Sequence, residues 1–174
     1  MLALVQDDVD RLVTAWRRER PDLDVTPLEV FSRVTRLARH LDLARRSAFI
    51  RHDLEVWEFD VLAALRRAGA PYVLSPGRLL AQTLVTSGTM TNRIDRLASK
   101  RLVERRPDPH DRRGVRVHLT PAGRKRVDAA MADLIAGERE LLAGLGAGEQ
   151  AQLAGLLRQL LAPFDAEQGD VRAG

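Results

Sequence analysis

The feature that most constrains this sequence is a series of helix, turn and hairpin signals over residues 76–120. A Ser-Pro pair starts a short helix, and a turn then leads to a longer helix over residues 87–100. A strand begins at Val103, and after an arginine-rich turn the return strand has apolar residues at every second position: Val115, Val117 and Leu119. This order predicts a winged helix-turn-helix, in which one helix enters the DNA major groove and the hairpin, or wing, lies beside it.

The positive charge of the chain is concentrated in the same region. The 174 residues carry a formal net charge of +4 at pH 7, and residues 87–126 hold 12 Lys/Arg against 4 Asp/Glu. The rest of the chain holds 16 Lys/Arg against 20 Asp/Glu and is therefore acidic. A basic centre on an acidic body is typical of a protein that binds the DNA phosphate backbone; the alternative is a merely solvated basic surface.

Composition and motifs argue against several other classes of protein. The chain has no cysteine, so disulfides, thiolate metal sites and thiol switches are excluded. Its first residues do not resemble a signal peptide, and no apolar run approaches the roughly 18 residues that span a bilayer. The four histidines are scattered, and nucleotide-binding and nucleophile motifs are absent. We therefore expect a soluble cytoplasmic protein that is not an enzyme and holds no metal or cofactor.

Helical apolar patterns flank the central region on both sides. We assign residues 1–52 to N-terminal helices for a ligand pocket and dimerisation, and 53–120 to the winged helix-turn-helix. Residues 121–164 are assigned to C-terminal dimerisation helices, the last ending before Pro163, and 165–174 to a disordered tail. The predicted fold class is mainly α with a small β wing. The terminal helices hold more leucine than a small winged helix needs, which favours a homodimer on a palindromic DNA site.

The longer helix of the motif has a polar face suited to contact with DNA. At about 100° per residue, Met90, Ile94 and Leu97 fall within a narrow arc that marks the core side. Thr89, Asn92 and Arg96 face away from this core side, and Ser87 lies at the start of the helix, where a phosphate can bind. With these four, the predicted DNA contacts include three arginines of the hairpin, and each has simple solvation as the alternative: Arg112, Arg113 and Arg116. Asparagine pairs with adenine and arginine with guanine, and wing arginines favour a narrow minor groove. Asp108 and Asp111 are expected to brace the hairpin.

The hairpin and the helix start that follows it resemble those of a known family. Residues 108–123, DPHDRRGVRVHLTPAG, resemble the wing signature of the MarR family of bacterial regulators. The resemblance covers nearly the whole chain and implies a dimeric winged helix-turn-helix whose DNA affinity is lowered by a small aromatic anion. One departure is Arg101, which stands where the family usually has glycine. A left-handed backbone there costs a non-glycine residue about 1 kcal/mol.

Three further segments resemble the urate-responsive, PecS- and HucR-type branch of this family. They are WRRERPDLD at residues 16–24, TPLEVFSRVTRLARHLD at 26–42 and WEFDVL at 57–62. The narrower resemblance implies urate as the effector and four ligand-binding residues: Trp16, Asp60, Arg93 and Arg105. Arginine can pair with the charge of urate, and aspartate can accept hydrogen bonds from its N–H groups.

Each of these ligand residues also has a purely structural interpretation. Trp16 can simply dock the first helix, and Arg93 can contact a DNA phosphate. Asp60 has apolar neighbours along its helix and needs a partner, for which Arg93 or Arg105 is expected. Urate that competes for these arginines would repel Asp60 and shift its helix, so that the DNA-reading helices lose their spacing. A phenolic acid as effector, or a DNA-binding protein without an effector, are the alternatives.

Overall fold

The computed structural model describes residues 6–83, 86–109 and 111–173, without the side chains of residues 112, 113 and 165–173. Two compact units make up the chain, Met1–Leu134 and Ile135–Gly174. The elements are α1 (Asp8–Glu19), α2 (Thr26–Ile50), α3 (Val56–Arg67), β1 (Val73–Leu74), α4 (Pro76–Thr83), α5 (Ser87–Ser99), β2 (Val103–Asp108), β3 (Asp111–Leu119), α6 (Pro121–Leu142) and α7 (Ala147–Ala173). The predicted fold class, mainly α with a small β wing, is confirmed.

The first two helices pack on each other through a small apolar cluster and several ion pairs. Asp7 caps α1, since its side chain accepts hydrogen bonds from the N–H groups of Val9 and Asp10 at 2.8 and 3.0 Å. Arg33 of α2 lies 2.9 Å from Asp7 and 2.7 Å from Asp10. The buried residues of this contact are Val9, Val13 and Val25. Capping, charge pairing and burial together fix α1 along α2.

The predicted wing is an antiparallel hairpin of β2 and β3. Val103 pairs with Leu119, and Arg105 pairs with Val117. A third strand, β1, pairs with the other edge of β3 and gives the sheet order β1-β3-β2. The sequence analysis missed β1 because two residues are too short to show an alternating pattern.

One core unites the winged helix-turn-helix with parts of the helices on either side. Phe49 of α2 stacks on Phe59 of α3, with ring centroids 3.9 Å apart. Val127 and Ala130 of α6 are buried in the same cluster. The end of α2 and the start of α6 therefore support the DNA-reading elements directly. The predicted domain boundaries at residues 52 and 120 describe functional parts and stay a prediction. The two compact units of the structure are divided at a different position of the chain, after Leu134.

The turn between α5 and the wing contains Arg101, at the position where the family that the sequence resembles usually has glycine. Arg101 has a φ of 59°, in the left-handed region. The Thr120 hydroxyl lies 2.9 Å from the Arg101 carbonyl oxygen and 3.0 Å from that of Leu102, and it accepts a hydrogen bond from the Gly123 N–H. The turn thus keeps its left-handed geometry at a cost of about 1 kcal/mol, and Thr120 ties it to the start of α6.

The last helix is longer than the sequence predicts. We expected it to end before Pro163 and a disordered tail to follow, but the backbone of α7 is helical from Ala147 to Ala173, with Pro163 inside. Proline removes one N–H from the helix and costs about 3 kcal/mol, yet good helix formers follow it: Ala166, Glu167 and Gln168. Within the described residues, no helix is both long enough and apolar enough to span a bilayer.

Candidate nucleic-acid interface

The orientation of α5 is set by its apolar side. Met90, Ile94 and Leu97 are buried, as their spacing predicts. Thr86 caps the helix, and its Oγ1 accepts a hydrogen bond from the Thr89 N–H at 3.4 Å. The opposite side of α5 therefore faces away from the core, which is the orientation that a major-groove helix requires.

Two of the predicted DNA contacts, Thr89 and Asn92, lie on this open side and are exposed. Ser87 is also exposed, as the first residue of the helix. The Thr89 hydroxyl lies 2.9 Å from the Thr86 hydroxyl, so it also belongs to the helix cap. Asn92 has no side-chain hydrogen-bond partner among the described residues. Its amide is available to a base edge, and its contact with DNA stays a prediction.

Arg96, the fourth predicted contact on α5, is held by α3. One of its terminal nitrogens donates to Glu55 Oε1 at 2.7 Å, and its guanidinium lies 4.7 Å from the centre of the Trp57 ring. The Trp57 indole N–H donates to the other carboxylate oxygen of Glu55 at 2.7 Å. About half of the Arg96 side chain is exposed. Helical periodicity predicts the general direction of Arg96, whereas its partners on and before α3 depend on tertiary packing.

The same flank of α5 carries two more cations that contact α3. Arg93 lies with its guanidinium 5.4 Å from the centre of the Trp57 ring. Lys100 Nζ lies 2.9 Å from Glu58 Oε1, and the Glu58 carboxylate is fully buried. We name this set of residues the α3–α5 contact: the N-cap Glu55 with Trp57 and Glu58 of α3, and Arg93, Arg96 and Lys100 of α5. The three- and four-residue spacing of the cations was visible in the sequence, whereas their acidic partners were not singled out.

The wing carries the remaining predicted DNA contacts. Arg116 Nε donates to Asp108 Oδ2 at 2.8 Å, and the Asp108 side chain is only 15% exposed. This pair confirms that Asp108 braces an arginine of the hairpin. The backbones of Arg112 and Arg113 belong to β3, but their side chains lie outside the described part of the structure. Their contact with DNA stays a prediction.

The partner of Asp60 differs from the expected one. Asp60 is ion-paired with Arg45 of α2 at 3.2 Å, so the expectation of Arg93 or Arg105 as its partner is wrong. The expected partner was wrong because α2 packs against α3 and places Arg45 beside Asp60. No pattern in the local sequence indicates this tertiary contact. The Arg45 guanidinium lies 5.7 Å from the centre of the Phe49 ring, and its buried Nε has no hydrogen-bond partner among the described residues.

The other predicted ligand residues are not joined to Asp60 by any contact among the described residues. Arg105 pairs with Asp95 at 2.5 Å. Asp95 and Arg93 are two positions apart on α5, or about 200° around the helix, so Arg105 and Arg93 lie on opposite flanks. Trp16 is 47% exposed on α1. A shared ligand pocket for these residues stays a prediction.

Two pKa shifts describe the electrostatics of the interface. The indole N–H of Trp57, aided by Arg96, lowers the pKa of Glu55 against an opposing effect of burial. Burial and the nearby Arg106 and Arg116 lower the pKa of His118. Glu55 is therefore an anion at neutral pH, and His118 adds no positive charge to the wing there.

Comparisons with known proteins give the chain its family. Residues 52–114 match the MarR family. PecS of Dickeya dadantii (strain 3937), an HTH-type transcriptional regulator, is 36% identical over 150 residues, which cover 86% of this chain and 90% of PecS.

Two solved structures of regulators share the fold. Wild-type apo MarR from Escherichia coli is 29% identical with a TM-score of 0.64, covering 76% of this chain and 96% of MarR. BpsR from Bordetella bronchiseptica is 29% identical with a TM-score of 0.56, covering 74% of this chain and 98% of BpsR. Family and fold are those of regulators and not of enzymes. The chain thus belongs to the MarR family of DNA-binding transcription regulators.

Proposed function

We propose that this chain is a homodimeric repressor whose affinity for a palindromic DNA operator falls when a small aromatic anion, urate, binds beside Asp60. The observation that carries the proposal is the half-exposed ion pair of Asp60 with Arg45, in which the buried Arg45 Nε has no hydrogen-bond partner in the part of the chain that the structure describes. A planar anion can bind a guanidinium through two parallel hydrogen bonds, which Asp60 does not do. An anion at this pair therefore competes with Asp60 for Arg45.

Similarity to ligand-responsive regulators supports an aromatic effector. The DNA binding of BpsR is regulated by 6-hydroxynicotinic acid, a planar heteroaromatic acid. Urate is also a planar anion, with N–H and C=O groups around its rings. The resemblance of residues 16–24, 26–42 and 57–62 to the urate-responsive branch favours urate over a phenolic acid.

In this proposal the effector acts through α3. Urate bound to Arg45 leaves Asp60 beside a second negative charge, and the repulsion favours a displaced α3. Because the first turn of α3, directly before Asp60, holds the basic flank of α5 through the α3–α5 contact, α5 moves with it. Urate lowers DNA affinity only as far as it binds the displaced form more tightly than the DNA-competent form.

Three further residues complete the proposed urate site. Arg93 and Arg105 lie on opposite flanks of α5, so the proposal requires the movement of α5 to bring their positive charges to urate, and Arg105 also has to leave Asp95. Trp16 offers an exposed ring on which a planar ligand can stack. The Asp60 carboxylate accepts hydrogen bonds from urate N–H groups only in the displaced form, which favours that form when urate binds.

Apolar side chains that are exposed to solvent on each compact unit support the proposed homodimer. In α2 and α7 these exposed residues are Val30, Phe31, Val34, Leu37, Leu43, Ile50, Leu156, Leu157, Leu160, Leu161 and Phe164. Covering them with a second copy buries apolar area and gives a twofold axis. The two α5 helices then contact one duplex at half-sites about one helical turn apart. Because the proposed operator lies on the bacterial chromosome, the proposed repressor acts in the cytoplasm.

A thermal unfolding experiment tests the effector. A ligand that binds only the folded state, at about 100 times its Kd, adds about 2.7 kcal/mol to the free energy of unfolding. We expect urate to raise the midpoint of the wild type by roughly 5–10 °C, and adenine to leave it unchanged. Arg45→Ala and Arg93→Ala should each remove most of the urate shift.

The matched control is Arg66→Ala, which breaks an ion pair of similar exposure between α3 and Asp128 of α6. Urate should raise the unfolding midpoint of Arg66→Ala as much as that of the wild type, even if the midpoint of the variant without ligand differs. If salicylate raises the unfolding midpoint and urate does not, the effector is a phenolic acid and not urate. No shift with either anion would contradict the effector proposal and leave a DNA-binding protein without an effector.

A further inference from the structure

The start of α3 forms a closed set of contacts around Arg96 of the recognition helix α5. Glu55 uses one carboxylate oxygen for Arg96 and the other for the Trp57 indole N–H, each at 2.7 Å. The Trp57 ring then lies under the Arg96 guanidinium, 4.7 Å away. Arg96 is thus held at two points by two residues that are themselves hydrogen-bonded to each other.

The backbone that carries Glu55 is also fixed. Its N–H donates to Glu58 Oε2 at 2.9 Å, and the fully buried Glu58 is paired with Lys100, one turn beyond Arg96 on α5. The Glu55 carboxylate therefore has a defined position relative to α5. Arg93 lies against the same Trp57 ring, 5.4 Å from its centre, so the ring contacts two cations of α5.

Arg96 nevertheless keeps most of its donors available. Its contact with Glu55 uses one terminal nitrogen, and 52% of its side chain is exposed. With Thr89 and Asn92 it falls within an arc of about 60° on the side of α5 away from the core. A guanidinium that is already held in place loses little rotamer freedom when it contacts a base edge.

We propose that Glu55 is a positioning residue for DNA sequence recognition: it fixes Arg96, with Trp57, for bidentate contact with a guanine in the major groove. The inference rests on the proposed role of α5 as the recognition helix. Glu55 has a second effect of opposite sign on DNA in general, since its negative charge repels phosphates whatever the base sequence. Removing that charge should therefore weaken binding to the preferred site and strengthen binding to unrelated DNA.

The experiment uses duplexes that the wild-type chain enriches from a random pool, and a scrambled duplex of the same length and composition. The dissociation constants of both are measured at one salt concentration for the wild type, Glu55→Gln, Arg96→Ala and the double variant. We expect Glu55→Gln to reduce the ratio of specific to non-specific affinity by five- to tenfold. The double variant should have nearly the same affinity ratio as Arg96→Ala alone, because both substitutions act on the same contact.

A base-level measurement separates positioning from a merely structural effect. Repeating the enrichment with Glu55→Gln and with Arg96→Ala should relax the preference at the same base pair, and leave the other positions as in the wild type. Trp57→Phe keeps a ring under Arg96 but removes the indole donor to Glu55, so it should show a weaker form of the same loss. This second variant serves if Glu55→Gln fails to fold.

Glu29→Gln is the matched control. Glu29 pairs with Arg17 between α1 and α2, away from α5, and its removal changes the net charge by the same amount. It should leave the affinity ratio unchanged. A Glu55→Gln variant with the wild-type ratio and base preference would overturn the positioning role alone. A wild-type chain that enriches no sequence would overturn the sequence-specific function as well.

Discussion

Gly123 at the start of α6 shows how one residue can fix the wing against the rest of the fold. A Cβ at this position would overlap the Leu102 carbonyl oxygen and lie 2.9 Å from the Leu119 side chain. The Leu102 carbonyl also accepts a hydrogen bond from the Thr120 N–H at 3.1 Å. Two backbone segments, one before and one after the wing, therefore meet where only glycine leaves enough room.

Gly123→Ala should destabilise the protein by about 1–3 kcal/mol, because the added methyl group must push the backbone after α5 away. Gly137→Ala is the control on the same helix, since nothing lies within 4 Å of a Cβ there. That variant should be neutral or more stable by up to about 1 kcal/mol. Chemical denaturation of both variants measures the difference, and equal stability would contradict the close approach at Gly123.

Single residues also show where sequence reasoning reaches its limit. Met90, Ile94 and Leu97 were placed correctly on the core side of α5, because helical periodicity alone fixes which residues share a face. The partner of Asp60 was predicted wrongly, because the Asp60–Arg45 pair depends on how α2 packs against α3. Arg101 was recognised as a departure, but only the structure shows that it adopts the left-handed conformation.

At the scale of elements, α3 connects the two sites of the proposed mechanism. One end holds the basic flank of α5 through the α3–α5 contact, and Asp60 on the same helix is paired with α2. Glu58 is the most deeply placed charge in this connection, with a side chain that is 0% exposed. Burial of a carboxylate is tolerated only with a partner, and Lys100 supplies it.

Lys100→Ala should therefore destabilise the protein by about 2–3 kcal/mol, because it leaves the Glu58 carboxylate buried and unpaired. Adding Glu58→Gln should recover much of this loss, since a neutral amide costs less to bury than an unpaired charge. Free energies of unfolding for both single variants and the double variant measure the coupling. If the two losses simply add, the pair does not stabilise the contact between α3 and α5.

Elements were predicted well where they are long and periodic. The helices and the β2–β3 hairpin follow their apolar patterns, whereas the two-residue β1 shows none. The end of the last helix was placed wrongly, because the local signal of Pro163 was weighted above the helix-forming residues that follow it. The DNA contacts of the wing arginines Arg112 and Arg113 remain predictions from sequence.

At the scale of the whole molecule, charge and apolar surface divide the chain into parts with different tasks. The basic centre coincides with α5 and the wing, and exposed apolar side chains are numerous on α2 and α7. A second copy and a duplex are the two partners that these surfaces favour. Family membership and overall fold could be predicted from the sequence, whereas the link from Asp60 through α3 to Arg96 required the structure.

The most direct test of this link is the effect of urate on DNA binding. Fluorescence anisotropy of a labelled duplex, enriched by the wild-type chain, gives the dissociation constant with and without saturating urate at one salt concentration. We predict that urate raises this constant at least tenfold, a coupling of about 1.4 kcal/mol, and that Asp60→Asn reduces the effect to less than about twofold. A wild-type dissociation constant that urate leaves unchanged would contradict the proposed regulation.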